Sequence, residues 1–388
     1  MLGLKALDIT KFFGATTGGI RTYLLEKSRY VLERDDLHHV VIVPGRHDSV
    51  TDQGRTRWHS LAGLPIPGQA PYRFMASRRK VAAILAAERP DIIEVGSPYL
   101  VPWITRRAAR PLSIPLVWFY HTNFPRIISP RPARDGLIRR SAGRLADGYV
   151  KRLTTVFDAA VGASRVAVDA LTRAGFNRVE RVPLGVSLST FHPGRRGHAE
   201  QTRRSLGLPE GPLAIFTGRL AREKELGLVI DAWPQVERAT GATLLLVGDG
   251  PSRDYFKRRC RAQRIVWLPY EQDRERLADL LAAADLYLAP GPAETFGLAA
   301  LEAMASGLPV VSSDQGAVRE LVEASGAGVV NPAPDAEAMA ASIITLLGRN
   351  MTDLGQLGRR YAEEHHSWKR VFDHLFGFYQ LVLAGGRA

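Results

Sequence analysis

The residues best suited to chemistry gather where apolar runs end. Glu294 and Glu302 stand in an E-x7-E arrangement within PGPAETFGLAALEAMASGLPVV, Pro290–Val311. Glu294 falls in a Pro/Gly loop, and Glu302 falls inside the helical stretch that starts near Gly297 and stops at Ser306–Gly307. Carboxylates accept hydrogen bonds from hydroxyls, so the pair suits the two ends of a polyhydroxylated ligand such as a nucleotide sugar. A helix start leaves amides unpaired, here those of Phe296, Gly297 and Leu298 with Thr295 beside them, and such amides favour phosphate. The simpler alternative, an acidic residue complementing a helix dipole, accounts for Glu294 but not for the whole strand–loop–helix–strand pattern.

Arg219 and Lys224 bracket a short loop in TGRLAREKEL, Thr217–Leu226, directly after the apolar run Leu213–Phe216. Arginine is a rigid fork and lysine a point charge, which together suit two adjacent phosphates; ordinary surface charge is the plainer reading, and Arg222 between them fits it. Gly18–Gly19, in GATTGGIRTYL, would let backbone approach an anion closely at a helix start, although this is not the G-x-G-x-x-G fingerprint and paired glycines are often just a turn. His121 ends the apolar run of VWFYHTNFPR, Val117–Arg126, with Asn123 and Arg126 just beyond it. A lone histidine is commonly structural, but ligands of open α/β sheets bind at carboxyl ends of strands, where this one falls. Asp249, in VGDGP, reads as a residue that orders its loop. The chain has no D-x-D triplet and no His/Cys metal spacing, so no metal is expected. Cys260, the single cysteine, rules out an intrachain disulfide and reads as an inert thiol.

These loops need a scaffold. Runs at Leu4–Thr10, His39–Val43, Asp91–Val95, Leu116–His121 and Ala159–Ala163 read as buried parallel strands, with helices between them at Thr22–Glu33 and Arg78–Glu88. A second series follows: strands at Leu213–Thr217, Thr243–Val247, Ile265–Leu268, Leu286–Ala289 and Pro309–Ser312, and helices at Leu226–Arg238, Arg274–Ala283 and Leu298–Ser306. The alternation predicts two doubly wound α/β domains, 1–185 and 186–367, which the 388-residue length accommodates. Pro183–Gly197 has linker chemistry, with Arg195–Arg196 inside it. Residues 368–388 carry an aromatic helical face that no later strand could cover, so this helix is expected to pack back on the N-terminal domain.

Charge separates the halves. The net charge is +13, yet residues 1–185 hold 29 Lys/Arg against 15 Asp/Glu, and the remainder is close to neutral. The densest stretch is Arg126–Arg152, with Arg139, Arg140 and Arg144 at its centre. Such asymmetry favours an anionic partner, namely a lipid surface, a phosphorylated acceptor or nucleic acid; a solvated helix face is the bland reading. Nucleic acid is disfavoured, because no recognition helix, aromatic RNA-binding signature or zinc motif is present. No apolar run approaches a membrane span, and Met1–Asp8 lacks the features of a secretory signal, so a cytoplasmic place is expected.

Together these segments resemble the large retaining glycosyltransferase family 4, whose GT-B fold sets two Rossmann-like domains facing a central cleft. Glu294 and Glu302 match its E-x7-E pair, Arg219 and Lys224 its phosphate-binding pair, Gly18–Gly19 its glycine loop, and His121 the histidine near the transferred sugar. One departure is Glu225, where many members carry Gly or Asn straight after the lysine; little consequence is expected. YHTNFPR, Tyr120–Arg126, is most like members that glycosylate membrane lipids, bacterial lipid-directed α-mannosyltransferases among them. The resemblance implies metal-independent, retaining transfer of a hexose, mannose before glucose, from GDP-mannose or a UDP-hexose to a lipid or lipid-linked acceptor. It implies a peripheral enzyme on the inner face of the plasma membrane, with Asn123, Arg126, Arg139, Arg140 and Arg144 toward acceptor and membrane. A soluble saccharide acceptor, or a nucleotide-sugar epimerase or hydrolase of similar fold, remains the alternative.

Overall fold

A computed structural model describes residues 3–14, 18–67, 72–121, 137–332 and 334–385, with side chains from 143 onward in the helix that opens the fourth stretch. The chain forms two compact units, Met1–Leu184 with Trp368–Ala388, and Gly185–Ser367.

The first unit is built on eight strands: β1 Leu4–Ile9, β2 Leu37–Gly45, β3 Ser49–Gln53, β4 Thr56–Ala62, β5 Ile92–Val95, β6 Leu116–Phe119, β7 Ala159–Gly162 and β8 Val179–Arg181. Their order is β3-β4-β2-β1-β5-β6-β7-β8, parallel except for the β3–β4 pair. The central register sets Ala6 of β1 between His39 of β2 and Ile92 of β5. β5, β6 and β7 are buried along their whole length, as continuous apolar runs require. Strands β3, β4 and β8 were not expected. β3 is exposed at every residue and turns into β4 at Gly54, so its polar sequence shows no apolar face to read. The helix Trp368–Gly385 belongs to this unit and lays Phe372 and Phe376 against Tyr30 of the helix Gly19–Leu32, at ring-centroid distances of 5.4 and 5.7 Å.

The second unit carries β9 Leu213–Thr217, β10 Thr243–Val247, β11 Ile265–Leu268, β12 Leu286–Ala289, β13 Val310–Ser313 and β14 Gly328–Asn331 in one parallel sheet ordered β11-β10-β9-β12-β13-β14. The order reverses between β9 and β12, the point where ligands of such sheets bind. β14 was also not expected, being a short, half-buried edge strand. Part of the stretch read as linker is folded. Pro193–His198 forms a 3-10 helix, Arg195 bonds Asp279 at 2.6 Å, and Arg196 donates to the Ala284 carbonyl at 2.8 Å, so both arginines dock on the helix Arg274–Ala283 and its end.

Candidate active site

Two loops leave the switch point of the second sheet, one from β9 and one from β12. The β9 loop is held from beneath by the β10 loop. Gly218 donates to the Val247 carbonyl at 3.0 Å, and Leu220 to the Asp249 carbonyl at 2.9 Å. This contact needs Gly248, whose φ is +154° and whose missing Cβ would lie 1.9 Å from the Gly218 oxygen. Asp249 therefore orders the neighbouring loop through its backbone. A 3-10 turn, Arg222–Lys224, then delivers the chain to Glu225 in the left-handed region, φ +49°, at the start of the helix Leu226–Thr240. A left-handed non-glycine residue costs about 1–2 kcal/mol. The Glu225 departure thus occupies the one backbone position of the loop where Gly or Asn is the unstrained choice.

Across the switch point, the β12 loop places the Glu294 carboxylate against the Lys224 ammonium, which donates to it. The Glu294 carbonyl accepts from Ala317 at 3.0 Å, which pins the loop. Gly297 follows with φ +92°, and a Cβ there would lie 2.3 Å from Val318 Cγ2, so no other residue starts this helix without displacement. No side chain caps the helix Leu298–Ala305, and its first backbone bond, Leu301 to the Gly297 carbonyl, is 3.1 Å. The amides ahead of Leu301 have no acceptor within the helix, and they open on the loop that carries the Lys224–Glu294 pair.

The structure joins the expected residues selectively. Lys224 and Glu294 meet directly. Arg219, half exposed, is paired instead with Glu223. Glu302 is buried and accepts from Arg274 at 2.6 Å, whose guanidinium also lies 4.7 Å from the Phe191 ring centroid. Arg274 and Glu223 were not anticipated. Glu223 had a local signal, an acid within the Arg219 loop, whereas Arg274 sits on a separate helix and only the fold brings it to Glu302. Phe296 is buried near the His366 ring, at 5.6 Å. Among the described residues, no group of three or more His, Cys, Asp and Glu is placed to hold a metal.

In the first unit, Gly18 caps the helix Gly19–Leu32 without a side-chain bond. Its φ is −79°, and among the described residues nothing lies within 4 Å of a Cβ built there. His121 follows β6. Its imidazole stacks on Phe119 at 4.1 Å with the planes 1° apart, and Tyr23 meets it edge-on at 5.3 Å. Burial lowers the His121 pKa to about 4, against a smaller opposing effect of the Glu94 carboxylate. The ring is therefore neutral at neutral pH. Asn123 and Arg126 lie outside the described residues, as do the side chains of Arg139 and Arg140. Arg144 is exposed on the helix Leu137–Leu153, beside exposed Leu145.

Residues 17–190 match the description Glycosyltransferase Family 4, and residues 211–349 match Glycosyl transferases group 1. A GDP-mannose-dependent alpha-(1-6)-phosphatidylinositol dimannoside mannosyltransferase of Mycobacterium tuberculosis is 33% identical over 375 residues, 95% of this chain and 94% of that protein. The chain belongs to glycosyltransferase family 4. A GDP-mannose-dependent alpha-mannosyltransferase of the same organism is 29% identical over 98% of both chains. Among solved structures, a sucrose-phosphate synthase from Thermosynechococcus elongatus superposes with a TM-score of 0.77 at 19% identity, covering 98% of this chain and all of that one. The two parallel-sheet units are those of GT-B glycosyltransferases. This family 4 member is thus a glycosyltransferase.

Proposed function

We propose that the enzyme transfers mannose from GDP-mannose to a membrane lipid or lipid-linked glycan, with retention of configuration and without a bound metal. The observation that carries the donor assignment is the Lys224–Glu294 pair at the switch point, next to an uncapped helix start. Lys224, Arg219 and the amides of Phe296, Gly297 and Leu298, with Thr295 beside them, hold the diphosphate and neutralise the charge that builds on it as it leaves. In this role Lys224 and Arg219 exchange their carboxylate partners for phosphate oxygens, and Glu294 is freed to accept from sugar hydroxyls. Glu302, steadied by Arg274, takes the ribose hydroxyls. Gly18 and Gly19 leave room for backbone to approach the donor. His121 is assigned to the sugar near its reacting carbon, and the departing phosphate takes the acceptor proton, so no protein nucleophile is invoked. The relatives named above are GDP-mannose-dependent, which favours mannose over glucose.

The acceptor side rests on charge. The excess of basic residues lies in the first 185 residues. Among the described residues no helix is long and apolar enough to cross a membrane. The reading is a peripheral enzyme at the inner face of the plasma membrane, drawn there by anionic lipid at about 1 kcal/mol per basic residue near the surface. The test combines flotation with transfer. Wild type should bind anionic vesicles over neutral ones, less so at high salt, and should move labelled mannose from GDP-mannose into an organic-extractable product. The triple variant Arg139→Ser, Arg140→Ser, Arg144→Ser should lose roughly a hundredfold in partitioning, the equivalent of about 3 kcal/mol, while still binding donor. Equal binding to both vesicle types together with a water-soluble product only would replace the lipid by a soluble saccharide acceptor.

A further inference from the structure

The first unit buries a charged cluster that none of these roles uses. Lys27, fully buried on the helix Gly19–Leu32, sits 2.8 Å from Asp8 of β1 and 3.3 Å from Glu94 of β5. Asp8 also accepts from His39 at 2.6 Å, if the ring proton is placed on Nε2. Two tyrosine hydroxyls converge on the same Glu94 oxygen. Tyr23 donates to it at 2.8 Å; the Tyr379 hydroxyl, on the helix Trp368–Gly385, also donates to it and in turn accepts from Lys27 at 2.8 Å. Burying this many polar groups is costly unless each has a partner, and the cluster supplies those partners from β1, β5 and two helices far apart in sequence.

One edge of the cluster is the floor of His121. The Tyr23 ring that ends in the Glu94-bound hydroxyl packs edge-on against Phe119 at 5.0 Å and against His121 at 5.3 Å. On another side Gly96 leaves no slack, since a Cβ there would lie 3.3 Å from His121 Cδ2. The imidazole is thus fenced by Phe119 below, Tyr23 at its edge and the Gly96 backbone. Of the three, only Tyr23 has an orientation that depends on a hydrogen bond. Glu94 is buried, so its oxygens are held by donors rather than by solvent, and burial followed by the neighbouring Asp8 pushes its pKa up to about 7.

We propose that Tyr23 and Tyr379 are positioning residues for His121: both hydroxyls fix the Glu94 carboxylate, Glu94 fixes the Tyr23 ring, and that ring with Phe119 sets the plane of the imidazole. The C-terminal helix is then part of the reaction apparatus although it supplies no group to the substrate. This rests on the role assigned to His121 above.

Tyr23→Phe and Tyr379→Phe each remove one oxygen and keep the ring packing. The full chain, labelled with [15N]histidine and assigned through His121→Gln, reports the imidazole directly, and steady-state kinetics report turnover. In either variant the His121 ring resonances should shift or split, and kcat should fall roughly tenfold with the donor KM within about twofold. Glu94→Gln, which keeps an acceptor for both hydroxyls, should recover most of the turnover that Glu94→Ala loses. A merely structural role would lower the unfolding midpoint and leave the imidazole resonances and the kcat-to-KM balance unmoved. His121 resonances at wild-type positions in both tyrosine variants would overturn the inference, and should one variant not fold, the other carries the readout. Shifted resonances with wild-type kcat would instead remove His121 from the reaction, the failure of the earlier reading rather than of this wiring.

Discussion

Replacing Lys27 with methionine keeps the aliphatic stem and deletes the ammonium that pairs with both Asp8 and Glu94. Both carboxylates are buried, and in the wild type each lies within 3.3 Å of that ammonium. Removing one partner of a buried ion pair costs about 3–5 kcal/mol, because an uncompensated charge remains. The loss has a pH signature. Glu94 titrates near 7 in the folded protein rather than at its ordinary 4.5, raised by burial and by Asp8 and opposed by Lys27. Between pH 4.5 and 7 the folded state holds a proton that the unfolded chain has released. Wild-type stability therefore falls as pH rises through that window, by up to about 1.4 kcal/mol per unit, and levels off above it. Without Lys27 the Glu94 pKa moves higher, and the fall continues past pH 7. Near pH 5–6 Glu94 keeps its proton and only Asp8 has lost its ion-pair partner, so the deficit against wild type should be smaller there and should grow by about 3 kcal/mol by pH 9. Hydrogen exchange of peptides covering Leu4–Ile9, Gly19–Leu32 and Ile92–Val95, corrected for intrinsic rates, measures this within the first unit. Adding Glu94→Gln to Lys27→Met should restore most of the protection at high pH. A destabilisation that is the same at pH 6 and pH 9, or that stays below about 1 kcal/mol throughout, would refute the claim that the Lys27 charge holds this cluster.

Other expectations follow from the second unit. Arg219→Ala and Lys224→Ala should each lower turnover at least ~10²-fold while the fold survives, on the scale of losing one preorganised donor; near-native rates in both would cancel the phosphate assignment. Transfer should continue in excess EDTA, and abolition by chelation with recovery on adding magnesium or manganese would establish a metal requirement. Glu225→Asn should relieve left-handed strain by about 1 kcal/mol, seen as a rise of roughly 2–4 °C in the unfolding midpoint of its unit. An unchanged or lower midpoint would mean that the carboxylate at 225 compensates its own backbone.

The parts legible in the sequence were those whose physics is local. β9, β10 and β12 are continuous apolar runs ended by turn residues, and all five residues of Leu213–Thr217 are buried. The helix Arg78–Glu88 begins after Ser77, which accepts from Lys80, and stops ahead of Pro90, so both ends are written in its own residues. β3 and β4 escaped because their pairing, not their polarity, makes them strands. In the site, the positions of Lys224 and Glu294 at strand ends could be read, since turns and periodicity place them. The partners Arg274 for Glu302 and Tyr379 for Glu94 could not, because such choices are made only when distant elements pack. Lys27 shows the limit clearly. In LLEKSRY it has the spacing of an ordinary charged helix residue, and nothing nearby says that it is fully buried.

The first unit is discontinuous along the chain, and this has a consequence for how the protein is made. A ribosome that has released Met1–Leu184 has not yet made the helix that covers Tyr23 and Tyr30 and that supplies the Tyr379 hydroxyl to Lys27 and Glu94. All of Gly185–Ser367 must be synthesised first, roughly ten to forty seconds at ordinary elongation rates. During that interval Tyr23 and Tyr30 lack the rings of Phe372 and Phe376, and Lys27 keeps Asp8 and Glu94 but not the Tyr379 hydroxyl, which leaves uncovered apolar surface of the kind chaperones bind. The second unit, whose chain is continuous, can finish folding before the first. Any message that ends before Trp368 yields a first unit without its closing helix, so that unit folds to completion only when a segment made after the whole of the second unit is present.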